Sequence, residues 1–179
     1  PRVDETAKGV PGGVWPNNYG NNVENIDPQV NAASAAFSLI TPVYSALVKY
    51  GKGIGELPGP ETITGDAAEA WEISGDGLQV TYKLRPNHTF DQRPPTNGRA
   101  MTTQDVKFSW DRTVALSPVA GDMLRKVSPT GPIESLTVTD DRTIVIKLAE
   151  PYGPINEMLA YWYFYVTPVE ADGKFDPRS

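Results

Sequence analysis

His88 is the only histidine in this 179-residue chain, and there is no cysteine. Those two counts settle much of the available chemistry. Without thiols there are no disulfides, thiolate metal sites or cysteine nucleophiles. One imidazole without thiolates cannot assemble the usual zinc sites. A Ser-His-Asp arrangement would have to use His88, yet no Gly-x-Ser-x-Gly elbow is present. The Asn87-His88-Thr89 segment reads instead as a structural or surface position. No glycine-rich phosphate cradle appears. Asp140-Asp141 could pair as an acid/base couple, but turn chemistry accounts for both carboxylates. Tyr161 to Tyr165 is a dense aromatic run on which bases could stack. Nothing basic surrounds it, so a buried strand with aromatic cross-strand pairs is the better account. Asp122 could meet a ligand amine or simply face solvent. The chain reads as a non-enzyme, with no metal and no cofactor implied.

Composition narrows the partners. The net charge is −6 and the apolar fraction is 39%. The absence of a basic patch argues against nucleic acid and anionic membrane surfaces. The longest apolar run, Leu159 to Val166, is too short to span a bilayer. The chain starts at Pro1, which fits a start from which a signal segment has been removed.

The elements that must position any site centre on Ala67 to Arg112. Glu69 to Ser74 and Leu78 to Leu84 are β-prone runs joined by Gly75-Asp76-Gly77, where two glycines supply the positive φ of a tight reversal. Leu78, Val80, Tyr82 and Leu84 alternate with Gln79, Thr81 and Lys83, as in a strand with one buried face. Arg85-Pro86-Asn87 stops it. After a polar loop from Asp91 to Ala100, Thr102 and Asp105 have capping-box spacing. The helix that follows puts Val106, Ser109, Trp110, Thr113 and Val114 on one side. Phe108 lies about 200° from Val106 on the helical wheel, which predicts a helix clamped between two packed surfaces.

A second hairpin is expected from Glu134 to Leu148, with Leu136, Val138, Ile144, Ile146 and Leu148 on its buried face and a turn at Asp140-Asp141. Pro154 suits the first position of a short helix through Leu159. Upstream, apolar residues from Val30 to Lys49 crowd at helical spacing (Ala33, Ala36, Phe37, Ile40, Val43, Tyr44, Leu47, Val48), with Pro42 ending or kinking the first part. Gly51 to Gly65 reads as a loop. The predicted fold class is α+β: a small antiparallel sheet of two hairpins flanked by helices.

The order Trp71-Glu-Ile-Ser-x-Asp-Gly-Leu78, then Lys83-Leu-Arg-Pro86, then Phe90, then Thr102-x-x-Asp-Val-x-Phe-Ser-Trp-x-Arg112 resembles the large solute-binding proteins of bacterial ABC importers. That family captures oligopeptides, dipeptides and, in some members, nickel complexes or other solutes. The resemblance extends more weakly from about Gly12 to the C-terminus. It implies part of a two-lobed periplasmic-binding-protein type II fold, with the second lobe absent from this chain. It also implies a periplasmic or extracellular protein, anchored in some members through a lipid-bearing cysteine that would lie upstream. The implied partners are a peptide or other small solute and a membrane ABC permease, with the chain itself monomeric.

On that frame residues 1–11 are a disordered leader. Residues 12–31 are the first strand and ligand-side loop of lobe I, the strand sitting at Gly12 to Tyr19. Residues 32–179 form the extra subdomain that shapes the ligand chamber. Asn22, Val23, Glu24 and Asn25, leading into Ile26-Asp27-Pro28, match a family loop that borders the ligand and offers it main-chain hydrogen bonds. An Asx-turn formed by Asp27 is the alternative. Leu116-Ser-Pro-Val119-Ala120 matches a segment reaching toward the chamber, where relatives often carry an aromatic after the proline. Val119 and Asp122 are the candidate contacts there. An extracytoplasmic sensing or interaction domain on the same scaffold is the alternative function.

Overall fold

The computed structural model describes residues 8–10, 12–13, 23, 25–31, 34–51, 62–161 and 164–172. Of the expected first strand over Gly12 to Tyr19, all but Gly12 and Gly13 lies outside the described residues, as does most of the expected disordered leader.

Four strands build the main sheet: β3 (Ala68–Ile73), β4 (Gln79–Leu84), β5 (Ile133–Val138) and β6 (Thr143–Leu148), following a small pair, β1 (Val48–Tyr50) and β2 (Ile63–Gly65). Its order is β3-β4-β6-β5, antiparallel throughout, so the two expected hairpins join through the β4–β6 ladder. Alternation decides which face is covered. Val80, Tyr82, Leu84, Leu136, Ile144, Ile146 and Leu148 are buried. Thr81, Lys83, Val145 and Lys147, at the intervening positions, are half-buried or exposed.

The β3–β4 turn departs from expectation in one detail. Only Gly77 takes a positive φ, of 70°. Asp76 does the rest of the work, because its Oδ1 accepts from the Ser74 hydroxyl at 2.6 Å and from the Leu78 amide at 3.0 Å. These Asp76 contacts stand in for the second positive φ that the spacing suggested at Gly75.

The buried face packs against α2 (Thr103–Leu116) and α4 (Ile155–Ala160). Val106 and Trp110 enter this core, and the Trp110 ring meets Phe164 edge-on at 6.0 Å between centroids. The Tyr82 hydroxyl reaches Asn156 Oδ1 at 2.6 Å, tying β4 to α4. Burial first, and Glu157 second, hold the Tyr82 phenol well above its ordinary pKa.

Three expectations need correction. Among its described residues, the expected helical stripe from Val30 to Lys49 is helical only in α1 (Ser34–Ile40). Proline has no amide to continue the ladder and clashes with the preceding turn, so the chain turns at Pro42, with the Val43 and Tyr44 amides both donating to the Ile40 carbonyl. Leu47 and Val48 are fully buried, as the stripe required, but from extended backbone at the start of β1, and Val43 is 65% exposed. Correspondingly, the end of the expected Gly51 to Gly65 loop is strand β2, paired with β1. The Tyr161 to Tyr165 run is likewise not a strand within the described residues. Phe164 and Tyr165 are buried, Tyr161 is exposed, and extended pairing is limited to one bridge between Val166 and Ser45.

Candidate functional site

A cleft of about 470 Å³ opens among the described residues. It lies between the Ile26 and Val43–Ser45 segment on one side and the 88–101 loop on the other. Each wall is held by backbone pairing. Ser45 accepts the Val166 amide at 2.8 Å. His88 accepts the Met101 amide at 2.8 Å, and Phe90 donates to Arg99 at 3.0 Å, which closes the loop into a narrow ladder.

The loop's tip is built around Asp91. Its carboxylate takes the Arg93 amide at 2.8 Å and the Arg93 guanidinium at 2.8 and 2.9 Å. The Arg93 guanidinium, then its amide, hold the Asp91 carboxyl down to about 2. The Asp91 carbonyl takes the Thr96 hydroxyl at 2.8 Å and the Gly98 amide at 2.8 Å. Gly98 has φ +72°, and a Cβ there would strike the Gln92 side chain at 2.3 Å. Glycine takes that positive φ without strain.

At the cleft floor the Ser45 hydroxyl and His88 Nε2 lie 2.9 Å apart. Burial pushes the His88 pKa below its ordinary value, against an opposing pull from Asp66. Among the described residues no carboxylate is hydrogen-bonded to the ring, so the pair lacks the third member that orients a general base. Nor does any group of three His, Asp or Glu side chains there stand in a position to hold a metal ion.

Behind the cleft wall, Arg99 fastens the loop to the start of α2. It binds Asp105 through two contacts, at 2.6 and 2.9 Å, and Glu170 Oε1 at 2.7 Å, with its guanidinium over the Phe90 ring at 4.9 Å. Hydrogen bonds to Glu170, then to Asp105, raise the Arg99 pKa further. Asp105 is fully buried and also accepts the amides of Thr102 at 2.9 Å and Val169 at 3.0 Å. The expected capping box is therefore present, and its carboxylate also serves Arg99 and Val169.

The predicted contact residues fall in two separate places. Asn22 and Glu24 lie outside the described residues. Val23 is half-buried and packs with Ala36, Ile40, Ala46 and Tyr165. Asn25 Oδ1 takes the Asp27 amide at 3.1 Å, and its carbonyl takes the Asn31 side chain at 2.8 Å. Ile26, the next residue, lines the cleft. Asp27 does form the Asx-turn, accepting the Gln29 amide at 3.0 Å, and its other oxygen pairs with Arg112. Val119 and Asp122 sit at α3 (Ala120–Met123), Val119 half-buried and Asp122 exposed, and neither lines the cleft.

Sequence reasoning missed Ser45, Arg99 and the partners of Asp27. No local pattern joins Ser45 to His88 or Asp27 to Arg112, because each pair is made by tertiary packing.

Residues 62–178 match the profile of the bacterial extracellular solute-binding proteins, family 5 middle region. The chain belongs to this family. It is a family of solute-binding proteins and not of enzymes. Di/tripeptide-binding protein 2 of Pseudomonas aeruginosa is 27% identical over 171 residues, covering 87% of this chain and 30% of the relative. Among solved structures, the periplasmic binding protein DppA of Helicobacter pylori, in complex with the peptide STSA, superposes with a TM-score of 0.69. It is 24% identical, and the match covers 85% of this chain and 31% of that one. NikA of Brucella suis, in complex with Fe(III)-EDTA, gives 0.60 at 24% identity, covering 86% and 27%. At that identity both show the fold. The chain spans 20–30% of the length of the curated relatives it matches.

Proposed function

We propose that this chain is one wall of the substrate-binding component of an ABC importer, which captures oligopeptides or dipeptides outside the membrane and delivers them to a permease. The family match over residues 62–178 carries this reading. The name of the Pseudomonas relative and the peptide in the Helicobacter structure favour a peptide over other solutes. In this reading residues 12–31 supply the ligand-side loop and residues 32–179 the subdomain that widens a two-lobed chamber. Asn22, Val23, Glu24 and Asn25 present main-chain groups to the ligand, while Val119 and Asp122 touch it from a second side. The two hydrogen bonds made by Asn25 fix the loop that leads into Ile26. The protein works in the periplasm or on the cell exterior, with a lipid anchor upstream in the latter case.

Native mass spectrometry of the complete gene product, purified without denaturation, tests the proposal. The expected result is a set of peptide-sized adducts that disappear on unfolding and return with added di- to pentapeptides. A protein that carries no adduct and takes up no peptide contradicts it.

A further inference from the structure

We infer that the cleft between Ile26, Val43 and the 88–101 loop receives a neutral, apolar part of a solute, an aliphatic or aromatic body without a charged end. The inference rests on the solute-capture reading and names the chemistry that this chain contributes to it. At about 470 Å³ the cleft falls within the range of small-molecule sites. Its mouth shows apolar surface to solvent, with Val43 65% and Ile26 38% exposed and Pro94 also exposed, while half-buried Phe90 and buried Met101 continue the lining inward.

The charges decide the class of ligand. Among the described lining residues only Asp91 and Arg93 are charged, and they neutralise one another through three hydrogen bonds. The Arg93 side chain is 85% exposed, so that pair points its field at solvent. The charged groups behind the lining are paired among themselves: Arg99 with Asp105 and Glu170, Lys49 with Asp66, and Arg112 with Asp27, while Arg85 donates to the Asp66 carbonyl. On the floor, the Ser45 hydroxyl and His88 Nε2 are already hydrogen-bonded to each other. A carboxylate or ammonium entering the cleft would lose water and gain no opposite charge, which is costly. An apolar body would lose nothing comparable and would cover Val43 and Ile26.

A matched pair of fluorescent probes tests this on the purified chain. N-phenyl-1-naphthylamine is uncharged, and 8-anilinonaphthalene-1-sulfonate adds an anion to nearly the same body. The uncharged probe should bind saturably, one per chain, and the sulfonate at least tenfold more weakly. Val43→Trp narrows the mouth from an exposed position and should weaken the uncharged probe at least tenfold with an unchanged melting temperature. Ile26→Asp, which places a charge at the mouth, should do the same. Equal affinity for the two probes, absence of saturable binding, or indifference to both substitutions overturns the inference. Adducts on the complete protein alongside a probe-silent chain would sink the cleft and spare peptide capture. Probe binding without adducts would do the reverse.

Discussion

The two sides of helix α2 are held by different forces. Toward the sheet, Val106 and Trp110 join a continuous apolar core with Val80, Tyr82, Ile144 and Phe164. Toward the segments around Asp27 and Thr167, the helix presents Asp105, Ser109 and Arg112, each bonded across a polar seam. Ser109 Oγ takes the Thr167 amide at 2.8 Å, Asp105 takes that of Val169, and Arg112 pairs with fully buried Asp27. Apolar burial is non-directional and scales with area. A buried polar contact stabilises only if every partner is met. The sheet side should therefore tolerate reshaping of equal volume, whereas the seam should fail whenever one partner is removed. Because the cleft is built on the seam through Arg99, its shape is the more fragile property.

The largest expected effect is on the apolar side. Trp110→Ala should cost about 3–5 kcal/mol, read as a shifted midpoint in a denaturant melt. A loss under about 1 kcal/mol would mean that the Trp110–Phe164 contact carries little of the core. On the seam, Arg112→Met should cost about 3 kcal/mol, because it strands a buried carboxylate. Adding Asp27→Asn to that variant should recover stability, since the amide keeps the Asx-turn acceptor without the unpaired charge. Additive losses in this double-mutant cycle would show that the two residues do not act as a pair.

Close backbone approach should come next in size. A Cβ on Gly131 would lie 2.4 Å from the Leu124 carbonyl carbon, where β5 begins. Gly131→Ala should cost about 1–3 kcal/mol, while Gly121→Ala, whose nearest contact is an ordinary 3.5 Å, should be nearly neutral.

The helix cap should give less. Thr102→Ala should lose about 0.5–2 kcal/mol, and Ser should restore it. Asp should not, although it is an excellent cap elsewhere, because the Thr102 hydroxyl donates to the buried Asp105 carboxylate at 3.2 Å. A second carboxylate there would meet a like charge. Retained stability in Thr102→Asp would argue against that contact.

The smallest effect is on pH. His88 is held neutral by burial, with Asp66 opposing and Arg85 and Lys49 reinforcing. A histidine whose folded pKa is lowered binds fewer protons folded than unfolded, so its contribution is present above about 6.5 and is lost as pH falls below that value. Thermal melts should therefore decline from pH 6.5 downward, and His88→Asn should flatten the early part of that decline. An identical slope in both proteins would mean that His88 does not report on the cleft.

The sheet was legible because its information is local. Val80, Tyr82, Ile144 and Ile146 announce their face by alternation, and Thr102 with Asp105 announces a helix start by spacing. The seam was not legible, because Asp27 and Arg112, or Ser45 and His88, are joined only after folding. The apolar stripe through Leu47 and Val48 misled for a related reason. Burial on consecutive residues satisfies a helix interior and a covered strand alike, and only pairing with Ile63–Gly65 decides between them. The family resemblance reached further than periodicity, because the Trp71 to Arg112 motifs preserve an order that no single element contains. It still could not locate the cleft, whose 91–98 corner depends on Asp91, Arg93 and Gly98 acting together.

In the proposed function this chain is one wall of a shared chamber. A flexible peptide with charged ends finds no opposite charge in the cleft, and its ordering cost is not offset by one open surface. Isothermal titration calorimetry with a mixed di- to pentapeptide library, run on this chain and on the complete gene product, tests this directly. The expected binding by the chain alone is no tighter than about millimolar, near −4 kcal/mol. The complete protein should have a dissociation constant of about micromolar or lower, near −8 kcal/mol. Micromolar peptide binding by the chain alone would contradict it and make this subdomain a self-contained recognition module.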